Sequence, residues 1–352
     1  MSNAALQYLA VLTAVTSFAV SFVALARAPL RSTLGARAVY WLWLSVPASV
    51  LALALPRNAQ PNGAAAAFAP GVFDWLWGRV DVLLASVHFS GPLSGAACIV
   101  WAVGACAALA LMIRGQRSFD RSLGTLIPSA DGTWRSPAVV EPMLIGALRP
   151  RVLVPPDFEQ RYSAEEREFV LAHERAHMRR GDTLVNAFGA AWLCVFWFNP
   201  LMFWAMRLLR FDQDLACDAA VLCAAGKGRR GRYAEALLKA HLAGDAALPL
   251  PLACHWGSVH PLRRRIAELR RPVAGRMRHG IGILCVATLV ASVSLTSSAV
   301  QPSLHAGLHV ARSTPPASAT RAVSSRPAQA SATVCPLSRH RAPAPHTPQR
   351  RA

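Results

Sequence analysis

Residues 163–182 read SAEEREFVLAHERAHMRRGD. Ser163 and Glu166 stand three apart, the spacing of a capping box that satisfies the first free amides of a helix. Glu165, Glu166 and Glu168 crowd the first turns and Arg179 and Arg180 the last, so each sign matches the helix dipole. Gly181 stands where a left-handed C-cap residue belongs. These signals predict a helix over 164–180. On it His173 and His177 are four residues apart and share one face. In this H-E-x-x-H spacing two imidazoles can hold one Zn²⁺, and Glu174 beside them can take a proton from the attacking water. The bland alternative, a solvated polar turn, explains neither the cap nor the stop.

Working outward, the chain has 352 residues, 53% of them hydrophobic and only 16% charged. The apolar residues are bunched, which places part of the chain in lipid. Residues 6–25, 39–55 and 95–113 are uncharged runs of spanning length. Arg27, Arg31 and Arg37 follow the first run, and Arg114, Arg117 and Arg121 follow the third. By the positive-inside rule these flanks are cytoplasmic and the N-terminus is outside. No Lys or Arg precedes the first run, so it reads as a retained span and not a signal peptide. Pro47 is expected to kink the second span. Residues 56–94 form an external loop, in which Val72–Val87 is amphipathic. A fourth span falls at 280–300, behind Arg276 and Arg278, and returns the chain to the outside.

Between the third and fourth spans lies a soluble-looking stretch, 114–279, long enough for a domain. Its opening reads as short strands at Ala138–Val140, Met143–Ile145 and Arg151–Val154, with MLIGALRPRVLV as a hairpin. Residues 184–206 are apolar but broken at Asn199–Pro200. They read as two helices that dip into the bilayer face or bury against the domain. A helix is expected over 207–223, with Asp214 and Asp218 four apart on one face. Further amphipathic helices are expected at 230–242 and 260–271.

The net charge of +19 invites a nucleic-acid reading. The Arg residues are spread over loops and tail with no recognition signature, and anionic lipid explains them better. The eight Cys form no C-x-x-C pair, so neither a disulfide framework nor a Cys-rich zinc site is indicated. Cys217 and Cys223 read as small buried hydrophobes. Residues 301–352 carry no acidic residue and eight Pro, a composition that predicts disorder.

Four segments then carry a resemblance: LRPRVLVP at 148–155, FVLAHERAHMRRGD at 169–182, WFNPLMFWAMR at 197–207 and DLACDAAVL at 214–222. In order and spacing the chain resembles the BlaR/MecR-type antirepressor metallopeptidases over about 1–300. The resemblance implies an α-helical membrane protein of four transmembrane helices with an inserted α+β gluzincin-like zinc metallopeptidase domain in the cytoplasmic loop, in a bacterial inner membrane. It implies His173 and His177 as metal ligands and Glu174 as general base. The family's third ligand, a Glu in an E-x-x-C-D segment, falls on Asp214, a departure by one methylene; Asp212 is the fallback. Asp218 matches the family's Asp, which is placed to hydrogen-bond a ligating imidazole. Arg175 also departs from the usual uncharged residue.

The implied activity is a zinc endopeptidase of transmembrane signalling, acting on a cytoplasmic target such as a transcriptional repressor; some members of the family also cut themselves. The best-known members carry a penicillin-binding sensor after the last span, which the 52 tail residues cannot build. Two other readings stay open: a quality-control membrane metalloprotease, and a catalytically inactive receptor or scaffold that the Asp at 214 would suit. The lipid bilayer is a partner in all three, and no direct nucleic-acid binding is expected.

Overall fold

The computed structural model describes residues 2–54, 91–242, 254–255, 259–271 and 275–299. The chain divides into Met1–Leu304 and His305–Ala352, and every described residue belongs to the first unit. The amphipathic piece Val72–Val87, most of the expected loop 56–94, and the tail 301–352 lie outside the described residues.

Three described stretches are long and apolar enough to cross a membrane: Ala5–Leu34, Ala36–Leu53 and Leu93–Ser122. The first lies in helix α1 (Ser2–Leu34) and runs well past the apolar run at 6–25. The second is not one regular helix. It starts as α2 (Ala36–Val39), tightens to a 3-10 segment over Tyr40–Leu44 and resumes as α3 (Ser45–Ala54). Pro47 has no N–H to give back to the preceding turn, which accounts for the irregularity just before it. The third lies in α4 (Gly91–Ser122), which extends nine residues beyond the run at 95–113.

Beyond α4 the chain builds a five-stranded sheet of order β1-β2-β4-β3-β5. Its strands are β1 (Ile127–Pro128), β2 (Trp134–Arg135), β3 (Met143–Ile145), β4 (Arg151–Val154) and β5 (Cys254–His255). The expected hairpin is β3–β4, antiparallel, with Leu144 opposite Val152. Gly146 makes its turn at φ 88, where a Cβ would come within 2.5 Å of the Arg149 carbonyl oxygen. Ala138–Val140 is not a strand. The Ala138 amide donates to Ser136 Oγ and the Val139 amide to the Ser136 carbonyl, which closes a turn after Pro137 instead.

Helices α5 (Phe158–Arg161), α6 (Ala164–Arg180), α7 (Asp182–Val195), α8 (Pro200–Ala225), α9 (Arg230–Leu242), α10 (Val259–Leu269) and α11 (Arg276–Ala299) follow. The fourth expected span falls on α11, where Met277–Ala291 is a shorter apolar helix. The break at Asn199–Pro200 separates α7 from α8, as expected. The helix expected at 207–223 is, however, the continuation of α8. Asn199 caps its N-terminus by accepting from the Leu201 amide, Pro200 takes the first position, and nothing stops the helix before Gly226.

Helix α8 joins two cores. Its first half packs Met202, Ala205 and Leu209 with Val20, Val23, Tyr40 and Val286 of the apolar helices. Its last turns pack Val221 and Leu222 with Phe169, Tyr233 and Leu237, over the sheet residues Leu144, Val152 and Val154. The segment between them carries Asp212, Asp214, Cys217 and Asp218.

Candidate metal centre

Helix α6 forms with the predicted boundaries. The Glu166 amide donates to Ser163 Oγ at 3.3 Å, and the Ser163 amide donates to Glu166 Oε2 at 2.7 Å. Gly181 ends the helix at φ 70 and at once starts α7, so the chain turns a corner within one residue. That corner folds Asp182 back onto His177.

His173 and Glu174 are 0% exposed and His177 is 2% exposed. The two imidazoles meet edge to face, with Nε2 atoms 3.1 Å apart. Each ring is held from behind. His177 Nδ1 lies 2.7 Å from Asp182 Oδ2. His173 Nδ1 lies 3.0 Å from the Tyr233 hydroxyl and 3.2 Å from Asp218 Oδ1. Tyr233 donates its own proton to Asp218 Oδ1, so its oxygen accepts from His173. Both rings therefore carry their proton on Nδ1, and both Nε2 lone pairs face the same point.

Burial holds the His173 imidazole down at about 4 against the pull of Asp218, so the ring is neutral. Two Nε2 atoms aimed at each other favour a shared cation. Zinc at about 2.0–2.1 Å from two tetrahedrally arranged nitrogens would set them about 3.3 Å apart, close to what is found. The donor set and its oriented imidazoles fit a metal.

The third position has two claimants, and they are successive members of one face of α8. Asp214 Oδ1 lies 3.5 Å from His177 Nε2, and the side chain is 19% exposed. Cys217 is fully buried, and its sulfur groups with the two His so that the three ligand atoms lie within 4.8 Å of one another. Cys217 was expected to be a small hydrophobe; it is buried, yet it stands inside the polar cluster. Burial pushes its thiol up, and Arg180 Nη2 donates to its sulfur at 3.0 Å. The fallback Asp212 points elsewhere. Its Oδ1 takes Arg27 Nη1 at 2.8 Å and its Oδ2 takes Trp43 Nε1 at 2.9 Å, so both oxygens face the apolar helices.

Sequence reasoning missed Asp182, Tyr233, Arg265 and Tyr40. Arg265 is buried and clamps Asp218, with Nε to Oδ2 at 2.9 Å and Nη2 to Oδ1 at 2.7 Å. Burial raises the Asp218 carboxyl, but the Arg265 charge and the His173 contact overcome it and hold it well below the usual range. Arg265 also reaches the candidate ligands, 3.5 Å from His173 Nε2 and 3.5 Å from Asp214 Oδ2. Tyr40 donates to Asp182 Oδ1 at 2.9 Å. Asp182 was legible only as a polar residue just past a helix stop, and the others gave no sequence signal.

A family model described as BlaR1 peptidase M56 matches residues 8–269, about three quarters of the chain. The chain is 36% identical over 136 residues to the regulatory protein BlaR1 of Bacillus licheniformis, covering 38% of this chain and 22% of that protein. It is 26% identical over 98 residues to the methicillin resistance mecR1 proteins of Staphylococcus aureus and Staphylococcus epidermidis, covering 28% of this chain and 17% of theirs. The matched stretches thus span about a fifth of these relatives' length.

Proposed function

The chain belongs to the BlaR1 peptidase M56 family, and on that footing we propose that it is a membrane-embedded zinc endopeptidase of a bacterial transmembrane signalling system. Its substrate class is a cytoplasmic protein such as a transcriptional repressor. The observation that carries this reading is the pair of Nε2 atoms at 3.1 Å, each backed through Nδ1 by a buried carboxylate or its tyrosine partner. His173 and His177 hold the metal, Asp214 completes the set, and Asp182 and Asp218 fix the rings. The four-span topology, with the peptidase domain inside and both termini outside, and the gluzincin-like fold belong to the same proposal.

When bound, zinc supplies a Lewis acid that activates water and polarises the peptide carbonyl. Glu174, the next residue after His173 and buried with it, takes the proton from the attacking water and returns it to the leaving amine. Arg265 keeps its proton and puts a fixed positive charge beside the site, where negative charge develops on the carbonyl oxygen. The His pair is closed to solvent, so a peptide enters only after the domain opens. Asp214, the least buried of these groups, marks the side on which it does so.

Metal content and peptide hydrolysis test the reading together. Purified protein is expected to hold about one zinc per chain, and Glu174→Gln to keep the metal while losing at least roughly a hundredfold in hydrolysis. An intact protein that takes up no zinc would leave only the receptor or scaffold reading, which the short carboxylate at 214 favours. A profile of many cleaved membrane proteins, with no single repressor among them, would favour the quality-control reading.

A further inference from the structure

A cavity of about 260 Å³ opens between the α1–α2 corner, α8, and the facing ends of α10 and α11. Four guanidiniums line it, from Arg31, Arg37, Arg271 and Arg278, against two carboxylates, Asp218 and Glu268. Both carboxylates are committed. Asp218 is clamped by Arg265, and Glu268 meets Arg31 and Arg271 at 3.4 Å each. Arg278 spends its donors on the Ser32 and Thr33 carbonyls in the last turn of α1, neutral acceptors that leave its charge uncancelled. Arg37 is half-buried and makes no ion pair among the described residues. Two uncancelled positive charges in a concave site attract an anion, and the fork of Arg37 suits phosphate while Arg278 adds its charge.

The position of the cavity says where that phosphate comes from. It lies where the apolar stretch Ala5–Leu34 ends, where Ala36–Leu53 begins and where Met277–Ala291 begins. Beside it, Met277, Ile281 and Leu284 on α11 are 81%, 52% and 67% exposed. Their spacing of four and three residues puts them on one face of that helix. A free phosphate has no use for such a stripe, whereas acyl chains do. We propose that this cavity binds the phosphate headgroup of an anionic glycerophospholipid, with its chains along Met277, Ile281 and Leu284. The site rests on the membrane reading of α1 and α11 and not on the peptidase reading. It adjoins the metal centre through Asp218, which faces the cavity and orients His173.

The test uses full-length protein in phosphatidylcholine nanodiscs doped with phosphatidylglycerol, with retained lipid counted by native mass spectrometry. The wild type retains phosphatidylglycerol over phosphatidylcholine by on the order of tenfold. Arg37→Gln, which breaks no ion pair and so should fold, lowers that preference about fivefold, as expected for one charge near a membrane surface. Arg37→Lys keeps most of it. The double variant Arg263→Gln, Arg264→Gln, whose side chains are exposed on α10 outside the cavity, leaves the preference unchanged. An Arg37→Gln protein with wild-type preference, or a control that loses as much, overturns the site. So does millimolar inorganic phosphate that displaces phosphatidylglycerol completely, since the site would then serve free anions.

Discussion

A carboxylate at 214 is one methylene shorter than the glutamate that the family pattern carries there, so its reach decides whether the site is complete. Asp214 Oδ1 already stands 3.5 Å from His177 Nε2. Burial pushes its carboxyl up, but the Arg265 charge and the His177 contact hold it below the usual range, so it is an anion ready to ligate. Cys217 is a protonated thiol with Arg180 on its sulfur. On these grounds Asp214→Ala should weaken zinc binding at least about tenfold, Asp214→Glu should restore it, and Cys217→Ser should change it by less than about threefold. Metal titration against a chelator reads all three, and a loss confined to Cys217→Ser would make the cysteine the ligand. The grouping of His173 and His177, with Glu174 beside them, was legible because it is written in a spacing. The choice at the third place was not, because 214 and 217 share a helix face and only the tertiary fold orders them. A second buried residue, Glu141, gives a pH signature of its own. Burial pushes the Glu141 carboxyl up to about 7 against the Arg161 charge, while in the unfolded chain it ionises near 4.5. Between these values the folded state keeps a proton that the unfolded state has released. Its contribution is therefore full below about pH 4.5 and lost as pH rises through 7. Glu141→Gln should raise stability by about 1–3 kcal/mol at about pH 8 and by little near pH 4.5, read by thermal unfolding at the two values.

At the scale of elements, the legible helices are those whose ends are written locally. Helix α6 has its capping box, its matched charges and its glycine, and it forms over the predicted residues. Helix α8 misled at its far boundary and not at its start: Asn199–Pro200 is the expected break and serves as cap and first-turn proline, but the helix then runs 26 residues, through the boundary read at 206. The strand at β2 was missed because two-residue strands leave no period to read. The corner at Gly181 has a consequence that the linear pattern hides. Its left-handed backbone, φ 70, lets Asp182 start α7 while still hydrogen-bonding His177. No atom lies within 4 Å of where a Cβ would sit, so Gly181→Ala meets backbone strain and no clash. It should cost about 1 kcal/mol of stability and lower zinc affinity at the same time. A variant that lost stability with zinc affinity intact would show that the corner does not position Asp182.

Among the described residues, two polar contacts that hydropathy could not reveal tie the apolar stretches to the helices that carry the candidate metal centre. Arg27 and Arg31 read as a cytoplasmic flank of the first apolar run, yet both reach Asp212, at 2.8 and 3.4 Å. Trp43 joins them from the second apolar stretch, and Asp212 lies on α8 two residues before Asp214. The second contact is the chain Tyr40–Asp182–His177, at 2.9 and 2.7 Å. A residue of the second apolar stretch thus sets the carboxylate that sets the imidazole. Tyr40→Phe deletes only the hydroxyl, since the ring keeps its place under the Arg180 guanidinium at 4.8 Å. It should weaken zinc binding about three- to tenfold and change stability by about 1 kcal/mol. Asp182→Asn should weaken it roughly 10–100-fold. If the hydroxyl works through the carboxylate, the two losses will not add, and the double variant will bind zinc about as well as Asp182→Asn alone. Fully additive losses would mean that Tyr40 reaches the metal by another route and that the second apolar stretch has no hold on His177.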